Sequence, residues 1–125
     1  MFTLAVQRSF EAWHHLIGGD WGEENEPHSH IYRLELLLEG NELNEHGYLL
    51  DLVEVDRKLD ELLDFYREKD LNTLPDFDGM NPSLEHFART LCTKLAQKLQ
   101  TPRLTGVRTK LWESETAWAS YHLEL

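Results

Sequence analysis

Hydrophobic and polar positions alternate strongly near both ends of the chain and recur with a helical period through its middle. Residues 28–39 carry the clearest alternation: His28, His30, Tyr32, Leu34, Leu36 and Leu38 share one face, and Ile31, Arg33, Glu35, Leu37 and Glu39 share the other. That is the pattern of a strand with one buried face. A shorter alternation over 2–9, with Phe2, Leu4 and Val6 against Thr3, Ala5 and Gln7, predicts a preceding strand. Leu52, Val55, Leu59, Leu62, Leu63 and Tyr66 recur at the spacing of an amphipathic helix over 51–66. A second helix is predicted to start at Asn81-Pro82, with Asn81 as N-cap and Pro82 at the first helical position, where a missing N–H costs nothing. It runs to about Gln100 with Leu84, Phe87, Ala88, Leu91, Leu95 and Leu99 inward, and Pro102 stops it. Two last strands, about 105–113 and 116–124, lie close enough to form a hairpin through Ser114-Glu115.

The order β-β-α-α-β-β implies a single α+β domain over residues 1–125: a four-stranded antiparallel sheet with both helices on one face. The connections are a glycine-rich acidic loop at 17–27, a turn region at 40–47 and an irregular link at 67–80. The second sheet face still carries Ile31 and Leu37, so a further copy of the chain is the expected cover.

Composition narrows the function classes. Twelve Lys and Arg stand against 23 Asp and Glu, for a net charge of −11. With no basic stripe to displace counterions, nucleic acids and anionic membranes are excluded as general partners, while a small anionic ligand is not. Much of the acidic excess falls between Asp51 and Glu68, as expected of a solvated helix face. The one cysteine, Cys92, permits neither an internal disulfide nor a thiolate cluster and reads as a small core residue. The apolar stretch at Met1–Arg8 is too short for a secretory signal, and no segment has the apolar length of a membrane helix, so a cytoplasmic protein is expected.

The candidate chemistry lies in histidines. His28 and His30 are two apart in a strand, so both imidazoles leave the same face. A third imidazole from a neighbouring strand would complete a facial cap for Zn²⁺, leaving the fourth position open to water or substrate, as in catalytic zinc sites. His14 and His15 both stand near the first strand, and neighbours in an extended segment point oppositely, so only one of them can join.

The motifs around these histidines are ordered. Phe10-x-Ala12-x-His14 is followed by His28-x-His30-x-Tyr32, Gly47-x-x-x-Asp51, Leu71-Asn72, Asn81-Pro82-Ser83-x-Glu85, and Trp112-Glu113 with Tyr121 beyond. Taken together, over essentially the whole chain, this set resembles the 6-pyruvoyl-tetrahydropterin synthase / 6-carboxy-tetrahydropterin synthase (QueD-like) family. The resemblance implies a tunnelling fold (T-fold), assembled as trimers or hexamers with active sites at subunit interfaces. It implies zinc held by His14, His28 and His30, the Phe-x-Ala-x-His spacing selecting His14 over His15. It also implies a reduced pterin substrate, dihydroneopterin triphosphate or a relative, anchored through its amino and N–H edge by Glu113, since one carboxylate can accept two parallel bonds from a planar donor pair.

Two motifs depart from the family pattern. Family synthases place a cysteine base four to six residues before the His-x-His; here those positions are Glu24 and Gly22. An Asp-His pair often precedes Leu-Asn; here Arg67 and Glu68 stand there. Glu24 and Glu26 are therefore the candidate bases, and side-chain cleavage by retro-aldol chemistry is the reaction that a glutamate at this place implies. The alternative is a homologue that binds metal and pterin without turnover, as a sensor or carrier. His46, His86 and His122 match no ligand position, Trp13, Trp21, Trp112 and Trp118 could stack on a pterin or pack an interface, and Arg67 and Lys69 could meet a phosphate or complement a helix end.

Overall fold

The structure is a computed structural model describing residues 1–125. Its strands are β1 (Phe2–His14), β2 (His28–Gly40), β3 (Gly106–Trp112) and β4 (Trp118–Glu124), and its helices are α1 (Leu52–Tyr66) and α2 (Leu84–Lys98). The sheet runs β1-β2-β3-β4 with every neighbouring pair antiparallel. Each strand thus pairs with its sequence neighbour in the sheet, and α1 and α2 fill the crossover between β2 and β3. Helix α2 packs across β3 and β4, and α1 packs on β1 and α2, so both helices cover one face.

The alternation in β2 decides which face that is. Tyr32, Leu34, Leu36 and Leu38 are fully buried against Leu59, Leu63, Phe87, Leu91 and Leu95 in one continuous core. Ile31 on the opposite face is 70% exposed. Burying a leucine or aromatic side chain stabilises by about 1.5–3 kcal/mol, so a one-residue slip of β2 would expose the whole row and is strongly disfavoured. Cys92 is buried within the same core, its sulfur 3.4 Å from the Val107 carbonyl.

Several predicted boundaries shift, each for a physical reason. Strand β1 does not stop at residue 9 but continues to His14, paired residue for residue with Tyr32, His30 and His28. Phe10, Ala12 and His14 keep the inward alternation that Ser9 and Glu11 interrupt only on the outer face. Helix α2 starts at Leu84 with Ser83 as its cap, the hydroxyl accepting from His86 N–H at 3.1 Å. Asn81 is not the cap, because its amide is engaged by the backbone of Ile17 instead. The helix ends at Lys98, two residues early. In α1, Asp51 caps the first turn by accepting from Val53 N–H, and Leu52, expected inward, is 44% exposed in that turn. The link at 67–80 contains two short 3-10 turns, Leu71–Thr73 and Pro75–Phe77. There Asp76 accepts from the Tyr66 hydroxyl at 2.6 Å and from Lys94 Nζ at 2.9 Å, tying the link to both helices. No helix is long and apolar enough to cross a membrane.

Candidate metal centre

The end of β1 and the start of β2 are one piece of ladder, with His14 opposite His28 and Ala12 opposite His30. Cross-strand neighbours on one face stand about 5 Å apart, close enough for their side chains to interact. The result is a cluster of three imidazoles whose ring centres are 4.5, 4.8 and 5.1 Å apart. Their candidate ligand nitrogens all lie within 4.8 Å of one another. His15 is not part of this group; its N–H is taken by the Asn72 side chain at 2.9 Å.

The surroundings set the protonation of one of these rings and orient two of them. His14 is 5% exposed, and burial pushes its pKa down to about 4; the Pro82 carbonyl opposes that, and His30 and His28 add to it. It is therefore neutral at physiological pH, the form in which imidazole binds a metal. Its Nδ1 faces the Pro82 carbonyl at 3.3 Å. His28 Nδ1 lies 2.8 Å from the Glu26 carbonyl. A carbonyl only accepts, so in each ring Nδ1 is the donor toward it, the arrangement in which an outer hydrogen bond aims a metal ligand.

His28 Nε2 is buried and has no hydrogen-bond partner, although Glu24 Oε2 approaches to 3.0 Å. Three imidazoles converging in this way fit a zinc ion, which takes nitrogen ligands at about 2.0–2.1 Å. His14, His28 and His30 would hold it.

Glu24 reaches His28 from the 3-10 turn Gly22–Asn25, and this turn is held by side-chain amides. Asn25 donates to the Leu16 and Gly19 carbonyls, both at 3.0 Å, and accepts from Trp21 N–H at 2.7 Å. Asn72 holds both the N–H and the C=O of His15, and Asn81 does the same for Ile17. The segment leaving His14 therefore behaves as a strand whose partners are asparagine side chains. None of these clamps is readable from local pattern; the Leu71-Asn72 and Asn81-Pro82 motifs were the only signal, and they mark the right residues without showing the role. Glu26 meets the cluster through its backbone carbonyl, while its side chain is exposed.

Glu113 follows β3 and is half-buried. It is near enough to Tyr32 that, after burial, its charge is the second cause raising the tyrosine hydroxyl's pKa. Together with His30 it lines a cleft of about 470 Å³ at the top of the sheet, shared with Ile31, Arg33, Trp112 and Glu115. Trp112 and Trp118 close the β3–β4 ladder with ring centres 6.0 Å apart. Of the proposed phosphate contacts, Arg67 approaches Asp64 and the Ser9 carbonyl, both at 3.4 Å, and Lys69 sits 4.1 Å from the centre of the Phe65 ring. His122 pairs with Glu39 at 2.7 Å, far along the sheet from the cluster.

A family model described as 6-pyruvoyl tetrahydropterin synthase matches residues 3–124. No curated protein matches in sequence. Among solved structures, the 6-pyruvoyl tetrahydropterin synthase of Caenorhabditis elegans superposes with a TM-score of 0.83 at 22% identity, covering 96% of this chain and 94% of that one. A catalytic-residue variant of the Plasmodium vivax 6-pyruvoyltetrahydropterin synthase, glutamate to alanine, gives 0.82 at 16% identity over 99% and 98% of the two chains. An uncharacterized protein from Wolinella succinogenes gives 0.73 at 15% identity over 98% of each. The expected architecture is thus the observed one: the four-stranded sheet with two helices is the T-fold of these structures.

Proposed function

The chain belongs to the 6-pyruvoyl tetrahydropterin synthase family, and from that membership we propose that it is a zinc-dependent lyase acting on a reduced pterin, dihydroneopterin or its triphosphate. The observation that carries this reading is the convergence of His14, His28 and His30 to within 4.8 Å, beside the Glu24 carboxylate.

Each residue then has a distinct task. His14, His28 and His30 hold the ion, with the Pro82 and Glu26 carbonyls fixing the rings of the first two. Zinc bound there would act as a Lewis acid toward the oxygens of the substrate side chain. Glu113 accepts two parallel bonds from the pterin's amino and N–H edge and so sets the direction of the ring. Glu24 is the base: it removes the proton of a side-chain hydroxyl, and the adjacent carbon–carbon bond breaks as the carbonyl forms. The electron pair left on the ring-bound carbon spreads into the dihydropterin until a proton returns. A glutamate in this role is supported by the Plasmodium vivax relative, whose described catalytic residue is a glutamate.

The same reading includes a cytosolic homo-oligomer, a trimer or hexamer. The sheet order leaves β1 and β4 as edges. Exposed Ile31, Trp13 and Trp118 lie on the open face. Edge strands with free backbone groups are templates for pairing, and joining β4 of one copy to β1 of the next would remove both edges.

A second reading, binding of metal and pterin without turnover, is favoured by Arg67. It occupies a proton-relay position of the family and is engaged with Asp64 and the Ser9 carbonyl instead. One experiment separates the two. Purified protein is assayed for zinc, then incubated with dihydroneopterin and with its triphosphate, and the products are identified by mass spectrometry. Turnover that Glu24→Gln abolishes supports the lyase; tight pterin binding without product supports the second reading; absence of stoichiometric zinc overturns both.

A further inference from the structure

We propose that the turn between β2 and α1 is a docking surface for a basic amphipathic helix of a partner protein. The surface stands apart from the metal centre. Strand β2 runs from His28 to Gly40, and its 13 residues at about 3.3 Å each put this turn about 40 Å from the histidines.

Four large apolar side chains are left open in one short stretch: Leu43, Tyr48, Leu52 and Val53 are 37%, 62%, 44% and 74% exposed. The stretch is nevertheless tightly built. The Asn44 side chain accepts from His46 N–H at 2.9 Å and from Tyr48 N–H at 3.0 Å, and its own N–H donates to the Tyr48 carbonyl at 2.8 Å. Gly47, at φ 87°, makes the reversal. Leu49 and Leu50, next to Tyr48, are buried and fasten the turn to the core. The apolar groups are thus held out at fixed positions, and a partner meeting them costs this chain little further ordering. Tyr48, Leu50 and Leu52 line a cavity of about 520 Å³ together with Asn44, His46 and Asp51. An exposed tyrosine beside an apolar recess has the composition of an interface anchor.

The charges decide what fits. No lysine or arginine lies between Arg33 and Arg57, while Glu42, Glu45, Asp51 and Glu54 flank the apolar positions. The cations at this end are engaged: Arg57 pairs with Glu54 at 2.9 Å, Lys58 donates to the Lys98 carbonyl at 2.8 Å, and Arg103 donates to the Leu49 carbonyl at 3.3 Å. Glu45 meets only His46, at 3.5 Å, and Glu42 pairs with no cation. A second copy docking through the same patch would set these carboxylates against their own counterparts in a chain of net charge −11, which like-charge repulsion opposes. A segment with apolar residues on one face and Lys or Arg beside them meets both features at once. A helix presents that combination at i, i+3 and i+4: the recess takes the apolar residues, and Glu42 and Glu45 take the flanking cations.

The probe is a fluorescein-labelled amphipathic peptide of leucine and lysine, about 18 residues or five helical turns long, followed by anisotropy. A leucine–glutamate peptide of the same pattern is the comparison. Wild type is expected to bind the lysine peptide saturably, one per chain, and to leave the glutamate peptide unbound. Tyr48→Ser with Leu52→Ser should weaken binding by about 10- to 100-fold, the loss of interface anchors. Glu42→Lys with Glu45→Lys should weaken it by about 10-fold and flatten its salt dependence. Glu61→Lys with Asp64→Lys, the same change of charge on an exposed stretch of α1, should leave it within about twofold. Circular dichroism and zinc content of all variants should match wild type, since every altered side chain is exposed. Absence of saturable binding, equal weakening by the two charge reversals, or unchanged affinity in Tyr48→Ser with Leu52→Ser overturns the proposal. So does sedimentation equilibrium showing a smaller assembly for Tyr48→Ser with Leu52→Ser than for wild type, because a second copy would then be the occupant.

Discussion

Replacing Asn72 with alanine tests whether the side-chain clamps hold the metal centre in place. Asn72 accepts from His15 N–H at 2.9 Å and donates to the His15 carbonyl at 3.0 Å, one residue beyond His14. Each bond contributes about 0.5–1.5 kcal/mol net, so the pair accounts for roughly 1–3 kcal/mol of stability. The His15 backbone groups are part-buried, so water replaces these bonds only incompletely, which favours the upper half of that range. The consequence for the metal is separate. Freeing the residue next to His14 restores backbone entropy of about 1–2 kcal/mol, which must be lost again on coordination. A tenfold weakening of zinc binding is about 1.4 kcal/mol, so the expected loss is on the order of 10-fold.

The assays are urea unfolding of chelator-treated protein for stability and competition against a chromophoric chelator for zinc. Asn81→Ala is the control, because it frees Ile17, three residues from His14, through the same two kinds of bond. It should cost comparable stability and less zinc affinity. Equal loss of zinc affinity in both variants would refute a local clamp on His14, and unchanged zinc affinity in Asn72→Ala would refute it outright.

The Asp76 cluster predicts acid sensitivity. Burial pushes the carboxyl up, but the Tyr66 hydroxyl and Lys94 outweigh it and hold its pKa below the ordinary range. Its contribution is therefore complete above the unfolded carboxylate pKa of about 3.9 and is lost as pH falls through the lower folded value. In Asp76→Asn, urea midpoints should fall at pH 7 and should drop less than wild type between pH 5 and 3. Gly40→Ala should destabilise more than Gly106→Ala in thermal unfolding. At Gly40 the added Cβ meets the Arg103 main-chain carbonyl and stands 2.6 Å from Leu49 Cδ1, whereas at Gly106 it meets the movable ends of Glu39 and His122. His28→Leu in chelator-treated protein should stay within about 1 kcal/mol of wild type, since it removes one hydrogen bond and a partly exposed contact with Glu24. It should also lose the zinc-induced stabilisation, about 2.7 kcal/mol when zinc is at 100 times its dissociation constant. A metal-free loss well above 2 kcal/mol would mark His28 as a structural residue.

What could be read from sequence was whatever repeats locally. The period of two in β2 assigns Tyr32, Leu34, Leu36 and Leu38 to the core correctly, and the helical period assigns Val55, Leu59, Leu62 and Leu63. Features that depend on a distant partner were misread. The strand predicted over 2–9 stops short of His14, because the polar Glu11 breaks the simple alternation, yet it is an outward position on a strand defined by its pairing with β2. Asn81 and Ser83 are both good helix caps, and the choice between them is made by Ile17, 64 residues away in sequence from Asn81. The candidate ligands were legible because two share a strand and the third lies in register with them. The clamps were not, since an asparagine that binds a backbone elsewhere has no local signature.

The cluster itself explains why local consistency fails here. Three imidazoles within 4.8 Å, one of them buried and neutral and another with an orphaned nitrogen, are a poor solution for a metal-free core. Leucine or valine at the same inward positions would pack better and leave no polar atom unsatisfied. The surrounding structure nevertheless invests in them: two backbone carbonyls orient the rings, and asparagine amides hold the segments on either side. Outer hydrogen bonds to backbone carbonyls are the kind that orient imidazoles as metal ligands. The register that brings His14, His28 and His30 to within 4.8 Å is thus stronger testimony for a candidate metal centre than the histidine count.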